Sequence, residues 1–289
     1  MMNSFDAGKA ERGAFSVDGF DLQYRIEGQG PPLLVVGSAV YYPRTFSAAL
    51  RDHFRLIFFD HRGFARCHRE VTPADAELSR IVQDVDRFRA YLGLDRVDIL
   101  GHSGHGYMAL EYARAYPERV GRTVAVATGP SHAPHHMAVA EQLWQELAAP
   151  ERKRIFDADM AQLPADIAAD PQGRFIHMCI RLGARSWFDP RFDARPLWEG
   201  VHVNMPIFDR LWGETFRDLD TEALLAGISA PVLLALGRFD YLVAPAETWN
   251  AHRDFARDLT VRLFERSAHT PQLEESTEFD RVLVEFLAR

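Results

Sequence analysis

The chain has 289 residues, 47% hydrophobic and 26% charged, which fits one large α/β domain or a core domain with an insertion and excludes a disordered, collagenous or coiled-coil protein. At this size folding buries roughly three quarters of the unfolded surface, so stability needs neither a disulfide nor a metal. A formal charge of −8 without a run of Lys or Arg argues against a nucleic-acid partner, and no stretch of about 18 apolar residues marks a membrane span.

From the N-terminus, Met1 to Arg12 mixes charge and polarity without an apolar leader segment and reads as a loose tail. From residue 14, AFSVDGFDLQYRIEG places two alternating runs around Asp18-Gly19, a hairpin signal. LLVVG after Pro31-Pro32 predicts a strand buried on both faces, Pro43 to His53 a helical stretch, and RLIFFD a second buried strand. Leu78, Ile81, Val82, Val85, Phe88 and Leu92 share one helix face, and Gly93 fits the helix's C-terminal cap. RVDILG predicts a strand ending at Gly101, residues 106–116 a helix, and RTVAVA a further strand. In the last third APVLLALG is a strand, 245–257 a helix and LTVRLFE a strand. Phe279, Val282, Leu283, Phe286 and Leu287 then form the apolar face of a terminal helix. Strands alternating with helices imply a mostly parallel sheet covered on both faces.

Residues 130–225 break this alternation. They contain no convincing buried strand but hold Trp144, Trp187, Trp198 and Trp212, so they read as a helical insertion between core segments 1–129 and 226–289. Most of these tryptophans are expected to pack inside the insertion, with a minority lining the cleft where it meets the sheet. Trp198 and Trp212 are the candidates for that lining.

The chemistry concentrates in ILGHSGHGYMALEYARAYPERV, residues 99–120, where a strand ends, Ser103 follows at once and a helix begins. A serine on such a turn is held exposed, beside a helix N-terminus whose free N–H groups favour negative charge. A serine hydroxyl needs a base and a group to orient the base. Asp240, just past one strand, and His269, just past the next, supply both in the order Ser, Asp, His. His132, His135 and His136 cluster in SHAPHH, without the companions a metal site needs, and read as loop histidines.

These residues resemble the α/β-hydrolase family over about residues 13–289, and DHRGFAR at 60–66, YARAYPERV and AHTPQLEE are similar to its proline iminopeptidase-like branch. The resemblance implies an α/β-hydrolase fold with a helical cap over 130–225, Ser103 as nucleophile, His269 as general base and acid, Asp240 as its orienter, and an oxyanion hole. That hole is assigned to the backbone N–H of Gly104 and of Ser38 or Ala39. Two departures stand out. His105 occupies the place, two residues after the nucleophile, where the family usually has glycine, and GSAVYYP follows the strand at 33–36 where it usually has His-Gly. His105 is expected either to lean into helix packing or to face the pocket. Tyr41 and Tyr42 are candidates for the acyl pocket, and Glu199 either binds a substrate amine or is a surface residue.

The resulting expectation is a hydrolase of a small-molecule ester, lactone or amide, needing no cofactor or metal, with a small molecule as its partner. The alternatives are a proline iminopeptidase-like exopeptidase and a non-hydrolytic or ligand-binding member of the fold. Cys67 and Cys179 read as reduced thiols, and together with the missing leader they suggest a cytoplasmic protein.

Overall fold

In the computed structural model, which describes residues 10–288, an Asp-Gly turn opens the fold. Asp18 and Gly19, at φ 49° and 83°, link β1 (Glu11–Val17) to β2 (Phe20–Glu27), with Val17 paired to Phe20. Two successive left-handed residues match the twist of the hairpin they join. β1 takes in Glu11 and Arg12, so the expected tail is shorter than Met1–Arg12; its residues 1–9 lie outside the described residues.

The other strands are β3 (Pro32–Gly37), β4 (Arg55–Asp60), β5 (Arg66–Cys67), β6 (Val97–His102), β7 (Val120–Val126), β8 (Val232–Gly237) and β9 (Leu259–Phe264). They form one sheet in the order β1-β2-β4-β3-β6-β7-β8-β9, with β5 against β2. From β4 to β9 every pairing is parallel, and the antiparallel strands lie at the β1 end. Alternation along β3 explains the two-sided cover. Leu34 and Val36 pack with Ile81 and Val85 of α1 (Leu78–Tyr91) and Met108 of α2 (Gly104–Ala115). Leu33 and Val35 pack in the cluster that holds Phe279, Leu283 and Phe286 of the C-terminal helix Ser276–Leu287.

Two expected helices are absent as such. Pro43 to His53 forms two short 3-10 turns, Tyr42–Arg44 and Ala49–Asp52, and 245–257 forms 3-10 turns over Ala246–Phe255. The side chains say why. Ser47 Oγ accepts the Leu50 N–H at 3.2 Å, and Thr248 Oγ1 donates to the Pro245 carbonyl. Such local bonds offer the backbone an alternative to the regular helix.

Between β7 and β8 the described residues contain helical segments and no strand. The first is α3 (Pro134–Leu147), and its opening turn holds His135 and His136, which are therefore helical and not loop residues. Trp144 of α3 packs edge-on against Phe156 and Tyr241. The expectation that most tryptophans pack inside this segment fails, because Trp187, Trp198 and Trp212 all face the cavity described next.

Candidate active site

The parallel sheet sends the ends of β6, β8 and β9 toward one side, where ligands of open α/β sheets collect. Ser103 comes directly after β6 with φ 57° and ψ −130°, a backbone conformation that few residues outside glycine adopt. Its N–H donates to the Val126 carbonyl at 2.8 Å, and its carbonyl accepts from Gly106 N–H and Thr128 Oγ1, both at 2.9 Å. The strained residue is thus fastened at both ends, and the Gly104 N–H begins helix α2 without an intrahelical acceptor.

Asp240 lies three residues past β8 and His269 five past β9. Asp240 Oδ2 is 2.6 Å from His269 Nδ1, while Oδ1 accepts the Leu242 N–H at 2.9 Å. The carboxylate oxygen accepts, so the ring proton sits on Nδ1 and Nε2 keeps its lone pair. Both residues are buried. Ser103 and His269 line the same cavity, of about 650 Å³.

The loop carrying His269 is clamped on several sides. Its N–H donates to the Ser186 carbonyl at 2.9 Å, and its carbonyl lies 2.6 Å from His102 Nε2. Glu274 accepts the N–H groups on either side, Ala268 at 2.9 Å and Thr270 at 3.1 Å, and also that of Phe188. Burial raises the Glu274 pKa, against the lowering effect of these three N–H groups. Sequence reasoning missed Glu274 and His102. The available signals were the Glu within AHTPQLEE and the position of His102 beside the nucleophile.

The expected oxyanion donors fare unequally. Ala39 N–H already donates to Asp60 Oδ1 at 2.7 Å, which removes Ala39 from the free donors. Ser38 is buried and its hydroxyl accepts from the Val40 and Tyr41 N–H groups at 3.2 and 3.1 Å. Burial pushes the Asp60 carboxyl up to about 8, opposed by hydrogen bonds from Ala39 and Gln23.

Aromatic rings form much of the cavity wall. Tyr41 packs tilted against Trp198 with centroids 4.4 Å apart, and Phe175, Phe208 and Trp212 pack together. Trp212 belongs to a single π-helical turn, Leu211–Thr215, a local widening that re-aims side chains. Tyr42, His102, His105 and His132 also face the cavity. His105 lines the cavity, and its Nδ1 lies 2.8 Å from Tyr42 Oη. Burial lowers the imidazole pKa values, to about 3 for His105 and about 4 for His132. It raises the Cys179 thiol to about 12, so this cavity residue stays protonated.

Glu199 is not a cavity residue. Its side chain is exposed, and its backbone carbonyl holds Arg44 at 2.8 Å. The carboxylate that does line the cavity is Glu141, paired with Arg185 at 2.7 Å. Arg185 lies over the Trp144 and Phe156 rings, 4.6 and 4.7 Å from their centroids. Among the described residues no group of three His, Cys, Asp or Glu side chains is placed to hold a metal ion. Nor is any helix there long and apolar enough to cross a membrane, and Cys67 and Cys179 are free thiols.

A serine on a strained strand-to-helix turn, with a His–Asp pair at the same cavity, coincides with a match of residues 35–276 to the alpha/beta hydrolase fold family. The chain belongs to that family. This hydrolase is 47% identical over 264 residues to the AB hydrolase superfamily protein YclE of Bacillus subtilis (strain 168), covering 91% of this chain and 94% of that one. It is 26% identical to a proline iminopeptidase of Heyndrickxia coagulans over 90% of this chain and 91% of that one. Its fold is shared with the crystal structure of the proline iminopeptidase of Mycobacterium smegmatis, with a TM-score of 0.72 and 20% identity over 96% and 98% of the two chains.

Proposed function

We propose that this hydrolase cleaves a small-molecule ester, lactone or amide through an acyl-enzyme on Ser103. The observation that carries the reading is the strained Ser103 on the same cavity as a His269 whose Nδ1 is held by Asp240. His269 Nε2 takes the Ser103 proton as Oγ attacks the substrate carbonyl. The Gly104 N–H, at the positive end of α2, stabilises the oxyanion, with Ser38 as the second donor. Collapse of the tetrahedral intermediate expels the alcohol or amine, which takes the proton back from His269. Water, deprotonated by the same nitrogen, then releases the acid. No step calls on a metal or a cofactor.

Residues 130–225 act as the cap in this reading. The rings they bring to the cavity, Phe175, Trp187, Trp198 and Trp212, favour an apolar or aromatic acyl group. An exopeptidase would need a carboxylate free to hold the substrate's amine. Glu199 is off the cavity and Glu141 is engaged by Arg185, so the ester, lactone or amide reading is preferred.

The deciding experiment is treatment with a fluorophosphonate probe followed by intact mass. A single adduct is expected, absent from Ser103→Ala, and p-nitrophenyl acyl esters should turn over without any need for a free substrate amine. Ser103→Ala should lose at least about a thousand-fold in kcat while keeping its melting temperature. A folded protein that neither takes the probe nor hydrolyses these esters overturns the reading. Preference for prolyl anilides with a free amine would replace it with the exopeptidase.

A further inference from the structure

Four buried side chains meet beneath the nucleophile turn: His61 after β4, Tyr42 after β3, and His102 and His105 on either side of Ser103. Fixed backbone partners dictate where their protons lie. Gly63 N–H donates to His61 Nδ1 at 3.0 Å, so the His61 proton is on Nε2. That nitrogen is 3.1 Å from His105 Nε2, which must accept. His105 Nδ1 then carries the ring proton, and it is 3.0 Å from the His102 carbonyl and 2.8 Å from Tyr42 Oη. His102 Nε2, 2.6 Å from the His269 carbonyl, also carries its proton. His102 Nδ1 is left to accept from the Tyr42 hydroxyl at 3.2 Å. Each donor meets an acceptor without conflict if every ring is neutral. Burial enforces that by lowering all three imidazole pKa values far below the ordinary histidine range.

We propose that His105, Tyr42 and His102, oriented by His61, are positioning residues that hold the His269 backbone through a one-way hydrogen-bond chain. The proposal rests on the reading of His269 as the general base. His269 sits between β9 and the turn Pro271–Glu274, where no ladder or helix fixes its carbonyl. The chain supplies that restraint from the sheet side, while Ser186 holds the N–H from the helical segment Gly183–Ser186. The two departures from the family pattern thereby become one construction. A Cβ on Gly37 would lie 2.1 Å from Tyr42 Cε2, so the glycine makes room for the tyrosine, and the tyrosine receives His105.

Ring-resolved 15N–1H NMR of the full-length protein at pH 7 tests the chain directly. His105 is expected as the Nδ1–H tautomer, with His61 and His102 as Nε2–H. An Nε2–H tautomer at His105 would overturn the proposal, and this readout needs no variant to fold. The second arm compares His102→Gln with His102→Asn, because a glutamine amide reaches the Nε2 position and an asparagine amide stops near Nδ1. His102→Asn and Tyr42→Phe should each lower the rate of fluorophosphonate labelling and the kcat for an acyl ester about ten-fold, with KM unchanged. His102→Gln should stay within about three-fold of the parent. Equal losses for the two amides would mean that the ring only fills space. Absence of labelling in the unaltered protein would defeat the triad reading instead, and the ring tautomers distinguish the two failures.

Discussion

Gly104 shows how closely single atoms are fitted around the nucleophile. A Cβ built there would lie 2.5 Å from Trp212 Cζ2 and 2.8 Å from Phe216 Cε2, so the absence of a side chain is what lets the indole descend onto the start of α2. Gly104→Ala should therefore cost about 1–3 kcal/mol, as overpacking does elsewhere. Its tryptophan fluorescence should shift as the indole is displaced. Trp212→Ala in the same chain should recover part of the loss, a coupling that urea denaturation of the double-mutant cycle measures. Additive losses would mean that Trp212 does not rest on Gly104. At this scale the sequence was most readable where the backbone announces the residue, although Tyr41, Tyr42, His105, Trp198 and Trp212, nominated without that signal, also line the cavity. Ser103, Asp240 and His269 each follow a predicted strand, and position alone nominated them. The alternatives left open at Glu199 and between Ser38 and Ala39 could not be decided from the sequence, because whether a side chain is exposed, or an N–H is already engaged, depends on residues distant in the chain, as Asp60 shows for Ala39.

The elements themselves were legible where their apolar period was strong. The strands LLVVG and RLIFFD, the helix from Leu78 and the terminal helix all stand close to where period and caps put them. The failures at Pro43–His53 and 245–257 came from Ser and Thr side chains that compete for the backbone, a contest that periodicity does not register. What joins the elements is also hidden from pattern reading. Arg62, at 1% exposure, bonds Asp84 of α1 at 2.6 Å, Asp75 at 2.6 Å and Asp18 of the hairpin turn at 2.7 Å, stitching three elements to the end of β4. Arg62→Ala leaves Asp84 buried without its cation, while Asp75 keeps its pair with Arg69. It should cost about 3–5 kcal/mol, read as a lower urea midpoint. Arg62→Lys should recover little, because one ammonium cannot reproduce a fork that meets three carboxylates. A variant with the parent's midpoint would show that water replaces the guanidinium.

For the whole molecule, buried histidines set the response to acid. His61, His102, His105 and His132 all have pKa values pushed down by burial, His105 to about 3 and His132 to about 4. Each is neutral when folded, and in the unfolded chain each takes up a proton near its ordinary pKa of about 6.5. Below that pH the unfolded state binds more protons, so stability is full above about pH 6.5 and falls as the solution is acidified toward pH 4. Asp60 acts in the opposite sense. Its folded pKa of about 8 lies above the unfolded value, so it stays protonated when folded and loses its proton on unfolding, and its contribution grows as pH falls from 8 toward 4. Each such histidine contributes up to about 1.4 kcal/mol per pH unit below about pH 6, His136, also lowered to about 4, among them, and Asp60 offsets about one of them. Urea midpoints should accordingly drop steeply between pH 7 and 5. Asp60→Asn should steepen the drop, and His132→Gln should make it shallower by about one proton's worth, about 1.4 kcal/mol per unit. The slopes are the readout, so a uniform loss of stability in either variant does not obscure them. A flat profile from pH 7 to 5 would mean that these imidazoles titrate in the folded protein as they do in water, and that the cavity floor is wet.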